Sequence, residues 1–138
     1  MKSPRRVPRS VSTSILLGLA LVVSACGGPG SGGDADGRQA AAQFLEEIRA
    51  GRVAPAWQGT TAEFKSFRGL ENLGQYVKSH PALTGKAELV ESRASGRGLF
   101  EHVFRCMTQI KGKEVRSTVK VLVAPNDRAW GVEALTVE

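Results

Sequence analysis

The sequence predicts an α+β domain in which N-terminal helices pack on one face of a curved, four-stranded antiparallel meander. Three observations carry this expectation. Between residues 38 and 80 apolar residues recur at spacings of three and four, the signature of helices with one buried stripe. After Gly85 the period falls to two, and β-branched and aromatic residues dominate. The later runs are separated only by Gly96-Arg97-Gly98, Lys111-Gly112-Lys113 and Pro125-Asn126-Asp127-Arg128, and such short turns join antiparallel neighbours. Helices first and strands afterwards place the helices together on one face of one sheet.

The chain opens with a different kind of segment. Residues 1–14 are basic and rich in Pro and Ser, and nine apolar residues, 15–23, follow. Nine helical residues reach about 14 Å against a bilayer core of roughly 30 Å, so this stretch reads as a signal-peptide core and not a membrane span. It ends in Val23-Ser24-Ala25-Cys26. That tetrapeptide resembles the lipobox of bacterial lipoproteins: an aliphatic residue, two small residues and a cysteine. The resemblance implies cleavage before Cys26, a diacylglyceryl group on its thiol and acyl chains of the palmitate kind. The alternative reading is ordinary cleavage after Ala25, with Cys26 incidental. Gly27 after the cysteine resembles the pattern of lipoproteins sent to an outer membrane where a cell has one. The expected location is therefore the cell membrane or outer membrane, with the domain lipid-anchored on the extracytoplasmic side.

The expected organisation is a signal peptide over residues 1–25, a lipidated cysteine and Gly-rich tether over 26–37, and a single α+β domain over 38–138. The tether has no apolar residue larger than alanine and cannot build a core. As a coil its eleven residues would reach about 18 Å. Asp36 with Gln39 matches a capping box that opens a helix over 38–50, whose buried stripe is Ala41, Phe44, Leu45 and Ile48. Gly51 supplies its left-handed cap. A short second helix holds Pro55 in its first turn and Trp57 as its anchor, and stops at Gly59. Thr60 and Glu63 form another capping box before Phe64 and Phe67. Leu70, Leu73, Tyr76 and Val77 continue the helical stripe to His80-Pro81, where proline ends it. Gly74 weakens that helix, which marks it as a candidate for close backbone contact.

Four strands are expected over 87–95, 99–110, 114–124 and 129–137. In the second, Phe100, His102, Phe104, Cys106, Thr108 and Ile110 share the core face. In the third the core positions are Val115, Val119, Val121 and Val123, and in the fourth Trp130, Val132 and Ala134. Arg97, Glu101, Arg105, Lys111, Lys113, Glu114 and Arg116 make a solvated outer face and turn that could meet a partner protein.

The stretch from Phe44 to Trp57, with an amphipathic helix ending in Gly51 and the Ala56-Trp57 pair beyond it, resembles the small cystatin-like or nuclear-transport-factor-2-like domains of secreted bacterial lipoproteins. The resemblance covers about residues 38–138. It implies helices folded over a curved sheet that encloses a cone. Members of that group bind small ligands or catalyse reactions in the cone, and many have no known function, so the fold alone selects none of these.

Charge and chemistry narrow the classes. Four of the 19 basic residues, Lys2, Arg5, Arg6 and Arg9, precede Cys26 and none of the 13 acidic ones does, so 15 basic residues face 13 acidic ones afterwards. That balance carries no nucleic-acid footprint. Isomerase chemistry in such a cone needs an acidic base and oxyanion donors inside it. The aspartates are instead Asp34 and Asp36 at the tether and helix cap and Asp127 in a turn, while Tyr76 is the one tyrosine. His102 and Cys106 share a strand face but lie about 13 Å apart, too far to act as a nucleophile–base pair. Cys106 reads as a small buried apolar residue. No catalytic residue, metal site or cofactor is expected. His102 has two readings: a histidine at the core edge bonded to a neighbouring carbonyl, or one that faces a pocket with Tyr76 and Trp130 and orients a ligand. The expected function is a lipid-anchored, non-enzymatic binding or interaction module of the cell envelope. Its partners would be the membrane through Cys26 and an envelope protein. The alternative is a small-ligand carrier or sensor that uses the cone.

Overall fold

The computed structural model describes residues 32–138; the basic leader, its apolar core and Cys26 lie outside the described residues. Four helices come first: α1 (Gly32–Arg49), α2 (Val53–Gln58), α3 (Ala62–Phe67) and α4 (Leu70–Ser79). A 3-10 turn, Pro81–Thr84, leads into β1 (Lys86–Gly96), β2 (Leu99–Ile110), β3 (Lys113–Asn126) and β4 (Ala129–Val137). The strands form one antiparallel sheet in the order β1-β2-β3-β4, the expected meander. No helix among the described residues is long and apolar enough to cross a membrane.

Helix α1 begins six residues before the expected Arg38, so residues 32–37 belong to the helix and not to a tether. Composition alone misleads here because the glycines are contact surface. A Cβ on Gly37 would stand 2.8 Å from a methyl of Val123, and one on Gly33 would stand 3.0 Å from the Trp130 ring. Without side chains the first turns lie directly on the sheet, and that packing offsets the low helix propensity of glycine. Asp34 sits in the first turn, where a carboxylate suits the helix dipole, and accepts a 2.8 Å bond from Arg38 one turn on. The C-terminal end follows expectation: Gly51 has φ +79°, and its N–H bonds to the Ile48 carbonyl at 3.0 Å.

Downstream, the cap of α3 is Thr61 and not Thr60. The Thr61 hydroxyl accepts the Phe64 N–H at 3.2 Å, while Thr60 forms a lone parallel bridge with Val132 and donates its hydroxyl to the Trp57 carbonyl. Attachment to the edge of β4 claims Thr60 and shifts the helix start by one residue. Phe64 is buried, but Phe67 is 89% exposed. Gly74 makes no close contact: a Cβ there would meet nothing within 4 Å. His80 closes α4, and its Nδ1 lies 2.8 Å from the Tyr76 carbonyl.

The inner face of the sheet carries the core. Phe104, Cys106, Val119, Val121, Val123 and Val132 meet Ala41, Phe44, Leu45 and Ile48 of α1, which touches all four strands. Ala134, expected inside, is exposed, and Leu135 takes its place. The register supplies the reason. Val123 pairs with Val132 and Leu122 with Ala134, leaving Glu133 as an extra residue that reverses the alternation. A second irregularity leaves Val90 unpaired in β1. Such bulges increase twist and curve the sheet around α1.

Candidate functional site

Three clusters hold the polar groups and concavities that matter. The first lies beneath the opening turns of α1. His102 comes from the inner face of β2 and is completely buried. Its Nδ1 is 2.8 Å from the hydroxyl of Ser92, its cross-strand partner on β1. Its Nε2 is also buried and has no hydrogen-bond partner among the described residues. A Cβ on Gly37 would lie 3.4 Å from that Nε2 and 3.4 Å from the Trp130 ring, so the histidine and the tryptophan meet around the same helical glycine. Phe100 joins them, its ring stacked on His102 at 6.5 Å and edge-on to Trp130 at 5.6 Å. The partner of His102 is thus a side-chain hydroxyl and not a carbonyl.

Burial is the main cause that lowers the His102 pKa, opposed by the Asp34 carboxylate and reinforced by Arg38. The unfolded chain therefore takes up the proton first as pH falls below about 6.5. Stability is full above that pH and is lost as pH drops toward the lowered native value. The urea midpoint of the wild type should fall more between pH 7 and pH 5 than that of His102→Leu. Equal pH dependence in the two proteins would show that the native histidine is not held neutral.

Tyr76 belongs to a second cluster on the helical side. It is half-buried on α4, with the His80 ring 4.1 Å away and the Arg68 guanidinium 3.9 Å over its face. Arg68 also approaches the Phe64 ring at 5.8 Å, and its carbonyl accepts the Trp57 indole N–H at 2.9 Å. The structure therefore brings His102 and Trp130 together and gives Tyr76 different neighbours. Cys106, 1% exposed, sits in the core, where burial pushes its thiol up to about 11. At that value almost no thiolate forms near neutral pH.

The third feature is an open cleft of about 580 Å³ between the C-terminal half of α1 and the start of β1. Ala42 and Leu45 form one wall, Gly85 and Ala87 the other, and Phe104 the floor. Glu46, Arg49 and Lys86 stand on its rim. Arg49 donates to Glu46 through Nε at 2.8 Å and holds that carboxyl below its ordinary range. An apolar floor with a charged rim suits an apolar group that carries a polar end. The sequence assigns Leu45 and Phe104 to the core and places any ligand cavity in the cone between the first helix and the sheet, without naming the walls of this cleft. The signal that was present is the pair of small residues, Gly85 and Ala87, beside Lys86 at the start of a strand.

Among the described residues no group of three or more His, Cys, Asp or Glu side chains converges as a metal site would require. No family model matches the sequence. No curated protein matches it either. A solved structure does: an NTF-2-like protein of unknown function from Shewanella oneidensis MR-1 superimposes with a TM-score of 0.56 at 18% sequence identity. The match covers 75% of this chain and 96% of that one. Four helices followed by an open, four-stranded antiparallel sheet make this an NTF-2-like α+β fold.

Proposed function

We propose that this protein is a lipid-anchored module of the cell envelope that acts by binding another envelope component and not by catalysis. The observation that carries the reading is a filled interior beside an open cleft. Phe44 and Phe104, 4% and 3% exposed, occupy the space between α1 and the sheet together with Ile48 and the valines of β3. The core leaves its concavity at the surface, where a partner's apolar side chain can enter between α1 and β1. The buried Ser92–His102 pair has no exposed imidazole to offer a substrate. The anchor rests on Val23-Ser24-Ala25-Cys26 and the leader before it. Two or more acyl chains hold a protein stably at a membrane, whereas one holds it marginally.

A second reading, a small-ligand carrier, is favoured by the cleft's volume of about 580 Å³, which falls within the range of ligand sites. Capture of partners from detergent-solubilised membranes separates the two. Ala42 is exposed on the cleft wall, so Ala42→Arg should fill the cleft, leave the fold intact and abolish capture of any protein that uses it. Capture that survives Ala42→Arg would remove the cleft from the interaction. In the same cells Cys26→Ser should yield a soluble or unprocessed protein. A Cys26→Ser protein that still partitions as a mature membrane species would defeat the anchor.

A further inference from the structure

We infer that the domain is held with one end against the bilayer: the end formed by the start of α1 and the β1–β2 and β3–β4 turns. The opposite end, with the β2–β3 turn, cannot rest on the lipid while the sheet stands upright. This rests on the lipid anchor proposed at Cys26 and on the lengths of the segment after it and of the strands.

Gly33 packs on Phe100, at the start of β2, and on Trp130, at the start of β4. In an antiparallel meander both of those strand starts lie at the same end, so α1 begins there too. Five residues, 27–31, separate Cys26 from the first helical residue. Fully extended, the six virtual bonds from Cys26 to Gly32 span at most about 21 Å. A thioether-linked glyceryl group keeps Cys26 itself near headgroup level. Along β2, Phe100 to Ile110 is ten residue steps, or roughly 33 Å of strand. Were the β2–β3 turn to touch the membrane with the sheet upright, Gly32 would stand about 30 Å above the surface, roughly 10 Å beyond its reach. Inversion is therefore forbidden, whereas the domain can stand on its α1 end or lean from it.

Charge does not drive this orientation. At the bilayer-facing end Arg97 and Arg128 are matched by Asp36 and Asp127, and Asp34 pairs with Arg38. The apposition should accordingly be insensitive to salt and to anionic lipid content, unlike polybasic attachment. One consequence follows for the cleft. It is built from the C-terminal half of α1 and the start of β1, toward the far end, where a partner can reach it.

The test uses the mature acylated protein in phosphatidylcholine vesicles that carry a headgroup nitroxide quencher. A fluorophore is placed on Arg128→Cys or on Lys113→Cys. Both positions are exposed, and the remaining thiol, Cys106, is buried. The Arg128→Cys label should be quenched several-fold more than the Lys113→Cys label, with no change on adding salt or anionic lipid. Insertion of about ten Gly/Ser residues before Gly32, adding roughly 35 Å of reach, should erase the difference. Mass spectrometry of Cys26 is read alongside. Acylated, vesicle-bound protein with equal quenching at the two sites would overturn the orientation and leave the anchor standing. Protein that is not acylated and does not bind vesicles would overturn the anchor and the orientation together.

Discussion

Replacing Gly85 by alanine should destabilise the domain by about 3 kcal/mol or more, at or above the upper end of what overpacking usually costs. Gly85 links the 3-10 turn to β1, and its φ of −83° is one that any residue adopts, so backbone strain is not the issue. Space is the issue. A Cβ there would lie 2.2 Å from the Met107 carbonyl oxygen, 2.7 Å from its carbon and 3.1 Å from the Thr108 Cβ. The first two are backbone atoms of the interior strand β2, where Lys86 pairs with Met107 and Ala87 with Cys106. No rotamer change relieves that contact; β1 must move off β2, or the ladder must open at its first rungs. For a domain of this size the melting temperature should fall by more than about 10 °C. Gly74→Ala is the matched control. A methyl at Gly74 meets nothing within 4 Å on a regular helix, so that substitution should be neutral or stabilise by up to about 1 kcal/mol. A Gly85→Ala protein as stable as the wild type would mean that β1 is not held to β2 at this end.

The two glycines also show what was legible in the sequence. Period and turn chemistry are local properties, and they place all four strands and the C-terminal end of α1 within a residue or two. Long-range contacts are not local, and each departure traces to one. The sequence reads the opening turns of α1 as tether because they hold no apolar residue larger than alanine, yet Gly33 and Gly37 are where the helix meets Phe100, His102 and Trp130. Gly74 reads as a contact and is not one, while Gly85, which in the sequence only marks the end of the helical region, is. The phase of β4 was set by an extra residue, Glu133, which no alternation pattern announces. Of the candidate site residues, the tryptophan and the histidine share a neighbour because strand starts β2 and β4 lie at one end of the sheet, a fact of topology. Tyr76 is claimed by Arg68, only eight positions earlier in the sequence, across a helix junction that the sequence merged into one stripe. The cleft is hidden for the same reason: its walls are 40 or more residues apart in sequence and meet only once α1 lies across the start of β1.

Truncating Phe104 to alanine should cost about 3–5 kcal/mol, the range for removing a buried aromatic and leaving a cavity. Phe104 is 3% exposed at the middle of β2, opposite Leu89 on one side and Val119 on the other, and belongs to the core beneath α1. Small domains hold only about 5–15 kcal/mol in total, so this single ring carries a large share of the margin. The loss should show in denaturant as a lower midpoint with an unchanged slope. Phe104→Leu keeps most of the volume and should lose less than about 1.5 kcal/mol. The pair also separates fold from function, because the same ring is the floor of the cleft. If the cleft receives an apolar group from a partner, Phe104→Leu should retain capture and stability together. Phe104→Ala deepens the cleft into the core and should weaken capture even at a temperature where the variant is fully folded. A loss below about 1 kcal/mol in Phe104→Ala would mean that the core closes over the gap. The packing of α1 on the sheet would then be looser than its buried residues indicate, and the filled interior that supports a binding module over a ligand carrier would lose its force.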